Sequence, residues 1–214
     1  MPDHASYGEF NRISFVIQQA LSKIQTATLV RVDACTNDGG LSPVGLVDIT
    51  PLVNQVDGGN NATPHVTIFN IPYCRVQGGS NAIIIDPEVG DIGICVFASR
   101  DISKIKSTRS QGNPGSNRRY SFSDGMYIGG ILNGVPSQYI KFNISGIEII
   151  SPNSVTINSS SPMKIISPTL EITGDVVVSG KITSSGDVVA SGISSSGHTH
   201  GGVQPGPGST GAPS

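Results

Sequence analysis

The sequence predicts a mainly β protein made of two unlike parts, a small N-terminal barrel followed by a repetitive β-helical shaft. Three observations carry this reading. Five short β-prone runs, at 29–32, 45–49, 65–69, 82–85 and 92–97, are separated by turn clusters such as Asn37-Asp38-Gly39-Gly40, Asp57-Gly58-Gly59-Asn60 and Gln77-Gly78-Gly79-Ser80. Between 139 and 197, shorter apolar pieces recur about every six to nine residues. The composition also changes near residue 140: Cys35, Cys74 and Cys95 all lie in the first half, arginine ends at Arg119, and no Phe, Tyr or Trp follows Phe142.

Taken in order, residues 11–27 place Ile13, Val16, Ile17, Ala20, Leu21 and Ile24 on one stripe of an α-helix, the one convincing helix of the chain. Such a helix packs on its own domain or docks a partner. The five β runs then suggest a small barrel or sandwich, and an OB-like barrel is the size that fits. Residues 107–118, rich in Ser, Gly, Asn and Pro, read as a long loop. The resulting layout is 1–27 as an N-terminal segment with the amphipathic helix, 28–106 as the OB-like β-barrel, 107–138 as loop and connector, 139–197 as a triple-stranded β-helix shaft, and 198–214 as an apex with an irregular tail.

The shaft is read as trimeric for a physical reason. Each piece, for example Val155-Thr156-Ile157, Leu170-Glu171-Ile172 or Val176-Val177-Val178, offers only two or three apolar side chains. Strands so short neither enclose a core nor cover their own edges within one chain. Three chains wound about one axis, as an intertwined β-helix or β-prism, solve both problems, and cyclic symmetry closes the assembly. A single-chain β-helix is the alternative, but its coils need roughly 20 residues or more to close. Disorder fits poorly, because the β-branched residues recur regularly and charges are sparse.

Charge and cysteine usage exclude several classes. A formal net charge of −2 marks no nucleic-acid binder, and Lys104, Lys106, Arg109, Arg118 and Arg119 read as a solvated loop. Three irregularly spaced cysteines predict free thiols and synthesis in a reducing cytoplasm. Asp3, His4 and Glu9 stand where a signal peptide would be basic and then apolar, and no apolar run approaches ~20 residues, so neither a leader nor a membrane span is expected.

The chemistry-bearing motif is Gly197-His198-Thr199-His200-Gly201-Gly202. In an extended strand, residues two apart share a face, so His198 and His200 aim at one point. Two imidazoles make a poor site, whereas three converging chains bring six. Six nitrogen ligands suit an octahedral first-row ion such as Fe(II), Ni(II) or Co(II) better than tetrahedral zinc, and an octahedron has its own three-fold axis. With every position filled by protein, the ion is structural and activates no water. No G-x-S-x-G, H-E-x-x-H, Walker A or glycosidase-type carboxylate pair occurs, so no catalytic residue is assigned and no enzyme is expected. Gly206 to Gly211 satisfies G-x-G-x-x-G without a preceding strand or a following helix, and is a false positive. His65 reads as a strand-end residue, and Asp86, Glu88 and Asp91 as a turn rather than a cation site.

Two stretches resemble the central spike proteins of contractile-tail phages and related tail-like bacteriocins. These are the segment from Asp86 to Asp101, DPEVGDIGICVFASRD, and the terminal Gly197-His198-Thr199-His200-Gly201-Gly202. The resemblance implies a homotrimer whose OB domains collar the top and attach to the baseplate hub protein. It also implies a β-helix shaft and one apex iron per trimer held by His198 and His200 of each chain. The implied role is mechanical: a membrane-piercing tip acting on the bacterial outer membrane, located at the virion tail baseplate and assembled in the host cytoplasm. A trimeric tail-fibre or adhesin tip binding cell-surface glycan is the alternative, although distal aromatics for sugar contact are missing.

Overall fold

The structure is a computed structural model that describes residues 4–199, 201, 202 and 206. It is mainly β and divides into two compact units, Met1–Ser154 and Val155–Ser214.

In the first unit, helix α1 (His4–Leu21) begins earlier and ends earlier than the 11–27 expected from periodicity. Its stripe does not pack on its own domain: Phe10, Ile13, Val16, Ile17 and Leu21 are all more than half exposed. Five strands follow in one sheet, β1 (Ala27–Cys35), β2 (Leu46–Pro51), β3 (Ile68–Pro72), β4 (Ile92–Phe97) and β5 (Gly125–Gly130). Their order is β3-β2-β1-β4-β5, with every neighbouring pair antiparallel. The sheet curls until its outer strands meet. Tyr73, one residue past β3, forms an isolated parallel bridge with Tyr127, and Cys74 N–H donates to the Tyr127 carbonyl at 2.7 Å.

Alternation explains the curl. In β2 and β4 every second residue is buried, and Val30, Val32, Val47, Ile49, Ile71, Tyr73, Cys95, Phe97 and Tyr127 form the core on the concave side. Register shifts between Val32 and Ala34, between Val47 and Ile49, and between Ile94 and Cys95 bend the strands where a flat sheet would not close. A Cβ at Gly93 would collide with the Gly129 carbonyl and the Tyr127 ring, so this position on β4 requires glycine.

Several of the sequence expectations differ from the structure. The run at 82–85 is not a barrel strand: Asn81–Ile83 pairs only with Val76–Gly78 in a separate hairpin. The fifth barrel strand is Gly125–Gly130, inside the stretch read as connector. Three of its six residues are glycine, which hides its β character, and only Tyr127 projects a large side chain into the core. A short helix α2 (Ser103–Thr108) spans the end of the stretch read as barrel and the first two residues read as loop, so α1 is not the lone helix.

Ion pairs onto two buried carboxylates, rather than strands, organise that long connection. Arg118 grips Asp124 through Nε at 2.7 Å and Nη2 at 2.8 Å and reaches Asp101 at 3.1 Å. Asp101 also accepts from Ser103 N at 2.8 Å and from Ser116 Oγ at 2.6 Å, while Asp124 accepts from Ile102 N. Arg118 is therefore no solvated loop cation, and Lys106 donates to the Asn70 carbonyl at 3.2 Å. Elsewhere in the first unit, the covered side chains of Asp86 and Arg75 pair at 2.6 Å, with Tyr73 donating to the same carboxylate oxygen at 2.5 Å and Gly39 N to the other. The three cysteines are free thiols, and burial pushes Cys95 up to about 12.

Strands β6 (Tyr139–Asn143) and β7 (Gly146–Ile150) form a hairpin that closes the first unit. In the second unit, the β-prone pieces from Val155 to Thr183 form no strand with their own chain. No backbone–backbone hydrogen bond joins described residues within 151–187. Their apolar side chains point to solvent: Val155, Ile157, Ile165, Leu170, Ile172 and Ile182 are more than half exposed, and Val177 is 93 % exposed. Serine hydroxyls make the corners. Asn153 N donates to Ser151 Oγ, Ser161 N to Ser159 Oγ, Ser167 Oγ to the Thr169 carbonyl, and Gly186 N to Ser184 Oγ. The first three corners fall eight residues apart, at 151, 159 and 167.

The barrel makes two predictions. Ile49→Ala, which empties a fully buried position, costs about 2–5 kcal/mol in urea unfolding followed by tyrosine fluorescence. Hydrogen bonds from Ser103 and Ser116, with the charge of Arg118, hold the Asp101 carboxyl well below the usual carboxylate range. A depressed folded-state pKa contributes stability that is complete above the unfolded carboxylate value of about 3.9 and fades as pH falls below it. Asp101→Asn therefore lowers Tm at pH 7 and flattens the acid limb of a Tm-against-pH curve relative to wild type.

Candidate metal-binding apex

The second unit contains a two-stranded hairpin, β8 (Val189–Ala190) and β9 (Ile193–Ser194), with Val189 opposite Ser194 and Ala190 opposite Ile193. Its two turn residues, Ser191 and Gly192, both have positive φ, 50° and 79°, as a two-residue hairpin with right-handed strand twist demands. Past the last ladder pair, Ser195 N donates to the Val188 carbonyl at 2.8 Å. One step further, Asp187 Oδ1 accepts from both Ser196 N at 3.1 Å and Ser196 Oγ at 2.8 Å. Bonds from the Ser194 and Ser196 hydroxyls and from Ser196 N hold the Asp187 carboxyl below its ordinary range.

Ser194 then serves the turn that carries His198. Its Oγ accepts from Gly197 N at 2.8 Å, and its carbonyl lies 2.8 Å from His198 Nδ1. A carbonyl oxygen only accepts, so this bond assigns the proton to Nδ1 and, in the neutral ring, leaves the lone pair on Nε2. This is the tautomer a metal takes through Nε2, with the other nitrogen anchored on a backbone carbonyl. On that observation the described half of the motif fits a metal ligand. His200, its expected partner, lies outside the described residues. Among the described residues no group of three or more His, Cys, Asp or Glu comes together, so these residues by themselves assemble no closed site.

The remaining sequence candidates take structural roles. His65 Nε2 lies 3.0 Å from the Val53 carbonyl, and its ring meets Phe122 edge-on at 5.2 Å. Asp91 accepts from Glu88 N at 2.9 Å and from Asn133 Nδ2 at 3.0 Å, closing the turn, while Asp86 belongs to the Arg75 and Tyr73 cluster. Apart from Gly206, the G-x-G-x-x-G stretch lies outside the described residues. Sequence reading missed Asp187 and Ser194. The available signal was positional: an acidic residue and a hydroxyl residue just upstream of a histidine motif that needs support.

Residues 192–214 match the family model described as GpV Apex motif. A search of curated proteins finds no match. The apex motif is in general a metal-binding tip motif of structural phage tail proteins. It covers the His198 turn reached above from geometry, and the match supports a protein of the phage baseplate central-spike type.

Proposed function

We propose that this chain is one of three identical subunits of the central spike at the tip of a contractile phage-type tail, acting mechanically during penetration of the bacterial outer envelope. The observation that carries the reading is the stretch 151–187, which pairs no backbone with its own chain. Fourteen large apolar side chains between Val155 and Ile193 are exposed in the single chain. Burying one stabilises by roughly 1.5–3 kcal/mol, a large driving force for association when summed along the chain. Short β-prone pieces with regularly spaced hydroxyl corners and no ladder of their own are what an intertwined triple β-helix leaves when one strand is viewed alone. The histidine turn stands at the C-terminal end of that segment.

The parts then take these roles. The five-stranded Greek-key sheet, closed by the parallel bridge at Tyr73 and Tyr127, is an OB-like barrel running from 28 to about 130, and it forms the collar that meets the baseplate hub protein. Residues 139–197 form the shaft, and 198–214 the apex. Helix α1, with its apolar stripe exposed, supplies a further surface for a neighbouring copy or the hub. At the apex, His198 and His200 of three chains supply six imidazoles for one structural ion, with iron first, nickel or cobalt next and zinc last by ligand count. The ion, when bound, cross-links three chain ends. Nothing in this reading requires catalysis or nucleic acid, and the spike belongs to the virion tail baseplate after assembly in the host cytoplasm. The glycan-binding tip is the weaker reading, since no Phe, Tyr or Trp follows Phe142 to stack on sugar.

Native mass spectrometry with elemental analysis tests the proposal. The expected species is a trimer holding one transition ion, and a metal-free monomer would overturn it. Ile172→Asp, which puts a charge on the proposed buried seam, is expected to shift the mass toward monomer. His198→Ala and His200→Ala are each expected to lose the ion while the trimer persists; full metal content in both variants contradicts the ligand assignment.

A further inference from the structure

We infer that Asp187 is a positioning residue for the His198 ligand, acting through the Ser194–His198 turn. The inference rests on the metal-binding reading of the apex. The pairing of Val189 with Ser194, extended outward by the bond from Ser195 N to the Val188 carbonyl, brings residue 187 opposite residue 196. There the backbone ladder ends and Asp187 continues it with its side chain: one carboxylate oxygen takes both the N–H and the hydroxyl of Ser196. Ser196 lies within the five-residue loop whose two ends are tied by Ser194, once through Oγ to Gly197 N and once through its carbonyl to His198 Nδ1. Ser196 is thereby fixed on one side by Asp187, while Gly197 and the imidazole-bearing His198 beyond it are fixed by Ser194.

Aspartate suits this place chemically. It is short, it accepts without donating, and a single oxygen accommodates two donors. Removing it leaves Ser196 only the longer 3.4 Å hydroxyl contact with Ser194, loosens the loop and weakens the bond that keeps the proton on Nδ1. An asparagine retains one carbonyl oxygen in the same position, whereas an alanine retains none. Second ligand-orienting contacts of this kind change metal affinity by about 10–100-fold.

The test uses the full-length protein as wild type, Asp187→Ala, Asp187→Asn and Ser196→Ala, the last removing a donor from the opposite side in case Asp187→Ala fails to assemble. Two readouts are taken: retention of Fe(II) or Ni(II) against a chelator, and the His198 tautomer in metal-stripped protein by long-range nitrogen-15 correlation, assigned by difference from His198→Ala. Wild type is expected to give the Nδ1–H signature. Asp187→Ala and Ser196→Ala are expected to give mixed tautomers and about tenfold or greater loss of retention, and Asp187→Asn to recover most of both. Wild-type tautomer and retention in the two alanine variants would overturn the inference, and so would lost retention with an unchanged tautomer. A wild type that binds no metal sinks the metal reading instead, and the tautomer readout then decides the role of Asp187 separately.

Discussion

Backbone amides and carbonyls must be paired or hydrated, and over 151–187 this chain pairs no backbone group with another of its own and leaves its aliphatic side chains uncovered. That constraint governs the rest of the protein. In the proposed trimer two further copies of the same segment supply the missing edges, and the serine corners recur at the same positions in each copy. A chain designed to stand alone would expose fewer aliphatic side chains or pair its strands locally, as the barrel does.

The barrel shows what self-sufficiency costs in sequence. Its five strands bury alternate residues on one side, its register shifts bend the sheet, and the Tyr73 and Tyr127 bridge brings the outer strands together. The long excursion between β4 and β5 has little apolar content and is held by Arg118, Asp124 and Asp101 instead. Such a network is sound only because each carboxylate has several donors; an unpaired member would be left buried with its charge uncompensated.

At the C-terminal end the scale changes from sheets to a few hydrogen bonds. A two-residue turn with positive φ reverses the chain, Asp187 extends the hairpin past its last backbone bond, and the Ser194 carbonyl sets the proton on His198. A ligand held this way needs little reorganisation on meeting a metal, and that economy suits a tip whose proposed task is to stay ordered under load.

The sequence by itself determined the mainly β class, the change of character near residue 140, the repeat in the second half and the histidine motif, because periodicity, turn chemistry and composition are local properties. It placed β1, β2 and β4 well, since Val30, Val32, Ile49 and Cys95 sit in alternating runs. The tertiary structure decided what depends on distant partners. Glycine-rich 125–130 became a strand because Cys95 and Tyr73 lie on either side of Tyr127, whereas the more β-prone 82–85 lost its place in the sheet. Arg118 became an anchor because Asp124 and Asp101 converge on it, and Asp187 became part of the apex because a hairpin brought it opposite Ser196. Local pattern fixes what a segment can be; only the pairing of residues far apart in the chain fixes which of them is used.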